Sequence, residues 1–298
     1  MNFIKLRLEN VINSMNCDKI TCHSHDLKCD YVMKIRFKKC DYLLYIRFEK
    51  CEIFVYKNYE VHSMRKEKLL RMNEIMDELV RDGEVAGMSA LIVQNGKEQH
   101  YYETGYADIV NRIPLKRDTI FRLYSMTKPI TAAAVMLLVE DGKIDLVDPV
   151  SNYLTGFKNP HIYVNGKKQP AGREPAIYHL LSMTSGLTYG GDDENGTATW
   201  ELIVETGDSQ YSASPIGTVE FANRLGQCPL AFTPGERFCY GLSADVLAAI
   251  VEVVSGMRYG DFLKKRIFEP LGMTDTDFYV PAEKQSRLSL VYEKTDEG

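Results

Sequence analysis

Residues Thr131 to Val139 (TAAAVMLLV) carry no charge and are apolar on nearly every side of a helix. A helix without a polar face has to be buried, so this stretch commits the chain to a sizeable core. The 298 residues, 45% of them hydrophobic and 26% charged, supply enough material for one large domain or two ordinary ones. With 36 Lys and Arg against 41 Asp and Glu, the formal charge of -5 offers no bulk electrostatic attraction to nucleic acid or to an anionic membrane. No apolar run approaches the roughly 20 residues needed to cross a bilayer. Met1 to Arg7 leads into no apolar stretch of the secretory kind, so the expected compartment is the cytoplasm.

The first 63 residues read differently from the rest. Cys17, Cys22, Cys29, Cys40 and Cys51 precede residue 52, and only Cys228 and Cys239 follow it. An 11-residue unit recurs as KCDYVMKIRFK, KCDYLLYIRFE and KCEIFVYK, starting at Lys28, Lys39 and Lys50. Its Tyr, Ile, Phe and Val content suits short strands, yet three copies of this length make a poor solenoid. Cys17, Cys22, His23, His25 and Cys29 lack the paired spacing of a zinc site, and a disulfide framework would need an oxidising compartment. We therefore expect free thiols, no metal, and residues 1–63 as a non-native or poorly ordered extension with Met64 as a plausible initiator. Residues 64–298 are expected to form the functional domain.

That domain opens with an amphipathic helix over Arg65 to Arg81, with Leu69, Met72, Ile75, Met76, Leu79 and Val80 on one stripe and Gly83 at its end. Met88 to Gln94 and Lys97 to Thr104 flank Asn95-Gly96, the strongest short hairpin signal. Next comes Ser125-Met126-Thr127-Lys128, an S-x-x-K unit leading into the apolar helix. Positions three apart share a helical face, which brings the Lys128 amine beside the Ser125 hydroxyl. A serine alcohol is a weak nucleophile at neutral pH and needs such a neighbour. Spacing alone is weak evidence, because Ser63 to Lys66 repeats the pattern where a helix cap is the simpler reading.

Ser125 to Gly142 resembles the active-site helix of the serine β-lactamase and penicillin-binding-protein superfamily. Four more stretches agree in order: Asp148 to Leu154 (DPVSNYL), Leu180 to Leu187 (LLSMTSGL), Pro234 to Tyr240 (PGERFCY) and Pro270 to Thr276 (PLGMTDT). The resemblance covers about residues 65 to 298. It implies an α+β (α/β) fold, an antiparallel sheet flanked by helices together with an all-helical region. It also implies that Tyr240 stands opposite Ser125 and Lys128, as a buried phenol whose pKa the lysine lowers. Leu242 occupies the place of the Asn with which true β-lactamases hold a substrate amide, which favours ester cleavage over lactam or peptide cleavage. Nothing between Tyr240 and Gly298 fits the family's third motif, which would supply an oxyanion-hole amide, so the chain reads as truncated.

The expected function is a serine hydrolase, a carboxylesterase forming an acyl-enzyme, with Ser125, Lys128 and Tyr240 as catalytic residues. It would need no cofactor and no metal, act on a small-molecule ester or amide, and use neither nucleic acid nor membrane as partner. The alternatives are a β-lactamase or D-alanyl-D-alanine carboxypeptidase, and an inactive fragment that only binds ligands. Asp192, Asp193 and Glu194 are read as an exposed loop, and His100, His161 and His179 as dispersed residues rather than ligands. Trp200 is read as packing in preference to lining an acyl pocket.

Overall fold

The computed structural model describes residues 66–209 and 215–293, preceded by the backbone of four strands at 19–24, 30–37, 40–47 and 52–58. The chain divides into two compact units, one of Met1–Leu115 with Tyr292–Gly298 and one of Lys116–Val291. The expected boundary between residues 63 and 64 lies outside the described residues, as do Met64 and the side chains of the Cys/His group before residue 30.

In the first unit, β1 (Lys19–Ser24), β2 (Asp30–Phe37), β3 (Cys40–Arg47) and β4 (Glu52–Asn58) pair in sequence order as an antiparallel sheet. Each 11-residue repeat thus amounts to one strand and its connection, with Phe37 opposite Cys40 and Arg47 opposite Glu52. Helix α1 (Lys66–Arg81) follows, closed by Gly83 at φ 73°. Met76 is buried, whereas Ile75, expected on the same stripe, is exposed.

Strands β5 (Gly87–Gln94) and β6 (Lys97–Asp108) form the expected hairpin. Asn95 and Gly96 both adopt positive φ, 53° and 70°, the conformation that matches the turn to the strand twist. β6 runs four residues past the expected end and pairs with β7 (Ile113–Pro114). Gly105, at φ 79°, lies opposite Gly87 where an added Cβ would come within 2.7 Å of the Gly87 Cα, so the paired strands approach this closely only because neither residue carries a side chain. Helix α1 is tied to β6 by two long-range bonds. His100 Nε2 donates to Asn73 Oδ1 at 2.8 Å, and the Tyr102 hydroxyl donates to the Asp77 carboxylate at 2.8 Å.

The second unit is mainly helical: α2 (Thr127–Glu140), α3 (Ile177–Leu181), α4 (Thr197–Ser209), α5 (Thr218–Gly226), α6 (Ser243–Ser255) and α7 (Tyr259–Leu263), with the short hairpin of β8 (His161–Val164) and β9 (Lys167–Pro170). Its core gathers Ala134, Val135 and Leu138 of α2 with Val246, Ala249, Ile250 and Val251 of α6. Helix α2 is not buried all round, since Met136 is exposed. On α6 the apolar positions Val246, Leu247 and Ile250 are buried and Val254 half-buried, whereas Val253 is exposed, and Gly256 at φ 68° ends the helix. The buried Thr131 hydroxyl lies 2.6 Å from the Tyr259 hydroxyl and ties α2 to α7. Among the described residues no helix is long and apolar enough to cross a membrane.

Candidate active site

Three segments of the second unit bring the candidate side chains together. The first is the turn entering α2. Ser125 sits in a single 3-10 turn, Tyr124–Met126, rather than in the helix proper, and Lys128 falls in the first turn of α2. Tyr124 takes φ 44°, a left-handed conformation that costs a non-glycine residue on the order of 1 kcal/mol. That twist sets the peptide immediately before the serine, and Ser125 itself is exposed. The buried face of α2 then holds the turn against the core.

The second segment is LLSMTSGL, which leaves α3 and turns through Met183 at φ 55°. Its carbonyls receive the third segment: Gly235 N donates to Thr184 O at 2.7 Å, and Cys239 N to Met183 O at 2.8 Å. Behind them the buried Ser185 and Ser243 hydroxyls lie 2.9 Å apart. A Cβ on Gly241 would meet Leu187 O at 2.4 Å, so the residue after Tyr240 has to be glycine for the loops to nest. Tyr240 is therefore located from behind by three backbone contacts and one hydroxyl pair.

The Lys128 ammonium donates to Ser125 Oγ at 3.2 Å and lies 4.7 Å from the centre of the Tyr240 ring. It also donates to the Tyr189 hydroxyl at 3.3 Å, and the Tyr189 and Tyr240 rings are 5.9 Å apart. The hydrogen bonds from Lys128 and with Ser125 hold the Tyr240 phenol below its usual pKa, against partial desolvation and the Asp245 charge. For Lys128, partial burial disfavours the cation, but the hydrogen bonds to Tyr240 and Tyr189 outweigh it and raise its pKa. The amine is thus a cation at neutral pH, and the phenol is the group poised to lose a proton.

Two expectations change here. Tyr240 is not buried: it is 46% exposed, and its pKa falls chiefly through hydrogen bonding, with the Lys128 charge adding to the effect and burial acting in the opposite sense. Leu242 lies in the core cluster at 6% exposure, so its side chain faces α6 packing and not a substrate. Tyr189 went unnoticed as a site residue because it belongs to no catalytic spacing. Its one sequence signal is its place two residues after LLSMTSGL, whose carbonyls hold the Tyr240 loop. Trp200, read as packing, is exposed. The loop of Asp192, Asp193 and Glu194 is exposed as expected. Asp193 spends its carboxylate on the Asn195 and Gly196 amides.

His179 is buried and accepts from the Ala176 amide, and His161 sits beside Tyr163 at the β8 edge. Among the described residues no group of three His, Cys, Asp or Glu could hold a metal ion. Cys228 and Cys239 are free thiols. A groove of about 910 Å³ lined by Phe121, Ile130, Phe268 and Phe278 opens in the same unit and is not lined by Ser125, Lys128 or Tyr240.

The family model described as Beta-lactamase matches residues 72–298. Esterase EstB of Burkholderia gladioli is 33% identical over 224 residues, which cover 74% of this chain and 54% of EstB. Penicillin-binding protein 4* of Bacillus subtilis is 31% identical over 219 residues, 72% of this chain and 43% of that protein. Among solved structures, EstCE1, described as a hydrolase with promiscuous acyltransferase activity, aligns with TM-score 0.65 and 30% identity over 78% of this chain and 58% of its own. The chain spans about half the length of the curated relatives it matches.

Proposed function

The chain belongs to the β-lactamase family, and from that premise we propose that its residues 64–298 carry a serine esterase that works through an acyl-enzyme on Ser125. The observation that carries this reading is the Lys128 ammonium 3.2 Å from Ser125 Oγ and 4.7 Å from the Tyr240 ring, with the phenol's pKa lowered. Ser125 Oγ attacks the ester carbonyl and forms an O–C bond while its proton passes to the Tyr240 phenolate. Lys128 stays protonated throughout and stabilises that phenolate. The Ser125 backbone amide supports the oxyanion. Collapse of the tetrahedral intermediate breaks the bond to the alcohol, which leaves with the proton from Tyr240. Water then repeats the sequence in reverse roles and releases the acid, restoring Ser125.

Esterase chemistry is supported by the names of EstB and EstCE1. The likeness to penicillin-binding protein 4* supports a second reading, a β-lactamase or D-alanyl-D-alanine carboxypeptidase. A fluorophosphonate probe tests the shared premise: labelling of the wild type that disappears in Ser125→Ala supports it, and a folded wild type that takes no label refutes it. Turnover of p-nitrophenyl butyrate far above nitrocefin favours the esterase, and the reverse favours the second reading.

A further inference from the structure

We propose that Trp200, Tyr189 and Phe238 form a receiving surface for an uncharged aromatic group of the substrate, beside Ser125. This rests on the serine-esterase reading above and names the substrate class it serves.

The chain has one tryptophan, and that indole is 57% exposed although α4 buries Thr199 and Leu202 on its other side. An exposed indole offers a wide, rigid apolar face on which a substrate ring can stack. Its position relative to the nucleophile follows from a chain of contacts. A Cβ at Gly190, which has φ 95°, would come within 2.8 to 2.9 Å of Trp200 N, Cα and Cβ, so α4 rests directly on the Gly190 backbone. The preceding residue, Tyr189, reaches Lys128 at 3.3 Å and sets its ring 5.9 Å from that of Tyr240. Trp200 is therefore fixed through Gly190 to the Lys128 cluster. Phe238, 66% exposed, stands two residues before Tyr240 on the loop pinned by the Cys239 amide.

Several charged groups near these positions are turned to other tasks, and the exposed carboxylates of Asp192 and Glu201 would repel an anionic substrate. Arg237 lies over the Phe232 ring at 4.5 Å, and Arg122 donates to Ser289 O at 2.8 Å. Asp193 caps the start of α4, and Glu194 accepts from the Gly166 amide at 2.6 Å. Lys128 donates to Ser125 and Tyr189 and lies 4.7 Å from the centre of the Tyr240 ring. A carboxylate-bearing substrate would meet aromatic faces here where it needs a cation, whereas a neutral ring finds stacking partners. The ring can belong to the acyl or to the alcohol part of an ester.

The test compares ethyl acetate, benzyl acetate and ethyl phenylacetate by proton release. We expect kcat/KM for at least one aryl ester about tenfold above ethyl acetate, the benzyl and phenylacetyl arms telling alcohol from acyl placement. In Trp200→Ala the aryl-to-ethyl-acetate ratio should fall about tenfold, and Trp200→Phe should keep most of it. A wild-type ratio near one, or a ratio that survives Trp200→Ala, overturns the proposal. Titration of the wild type with phenylacetamide, followed by emission of the single tryptophan, needs neither turnover nor a variant. Saturable quenching supports the surface even if no ester is cleaved, in which case only the esterase reading falls, and no saturable change overturns it.

Discussion

The hydroxyl pair behind Tyr240 can be taken apart one oxygen at a time. Ser185 and Ser243 are 1% and 0% exposed, with their oxygens 2.9 Å apart, and Ser185 Oγ also accepts from Leu187 N at 3.2 Å. Ser243→Ala removes one buried bond and leaves Ser185 its contact with Leu187, for a cost of about 1 kcal/mol. Ser185→Ala strands both the Ser243 hydroxyl and the Leu187 amide, for about 2 to 3 kcal/mol. In the double variant the stranded Ser243 hydroxyl is gone as well, so its cost should fall short of the sum of the two singles by about 1 kcal/mol. Urea unfolding read by tryptophan emission suits the question, because Trp200 is the only tryptophan and lies in the same unit as both serines. Ester turnover measured on the same samples should fall more in Ser185→Ala than in Ser243→Ala, since the former also loosens the turn whose carbonyls hold the Tyr240 loop. Costs that add to within about 0.3 kcal/mol would refute the coupling and with it the account of how Tyr240 is located.

Tyr189→Phe deletes one hydroxyl that raises the Lys128 pKa, so the alkaline limb of kcat/KM against pH should move to lower pH, with an activity loss of about three- to tenfold. A loss as deep as that of Tyr240→Phe, with no movement of the limb, would make Tyr189 something other than a support for the lysine. The acid limb reports loss of the Tyr240 proton: activity should rise with pH to a midpoint below the ordinary phenol value, and Lys128→Ala should push that midpoint up. Asp275, in the PLGMTDT stretch, accepts from Arg287 at 2.7 and 2.8 Å and from Lys284 at 2.9 Å, which holds its carboxyl far below the usual range. Its stabilising effect is present above the unfolded carboxyl's pKa and lost as pH falls through the depressed one. Asp275→Asn should therefore lower Tm at pH 7 and make little difference in strong acid, and a Tm difference independent of pH would count against the clamp.

Local pattern carried much of this molecule. Asn95-Gly96 forces its turn by backbone sterics alone, and Gly256 ends α6 for the same reason, so both elements were legible from a few residues. The meeting of Ser125 and Lys128 follows from their spacing across the turn into α2. Tyr240 could be paired with them only through the resemblance, since 112 residues separate it from Lys128 and no periodicity spans that gap. What stayed illegible depended on which face a side chain turns once helices pack. Ile75 and Val253 match their apolar stripes and are exposed, Leu242 looked like a substrate contact and is core, and Trp200 looked like core and is exposed. Each of these outcomes is decided by the angle at which neighbouring elements cross, a quantity that sequence spacing does not contain.

An ammonium has three N–H bonds, and in Lys128 two of them are held by an alcohol and a phenol while the charge lies over the ring of a second phenol. The amine is unable to swing toward an incoming ligand without letting go of a neighbour. Arginine at this position would conserve the charge and still fail, because a flat guanidinium fans its donors within one plane and cannot set a compact charge among two hydroxyls and a ring.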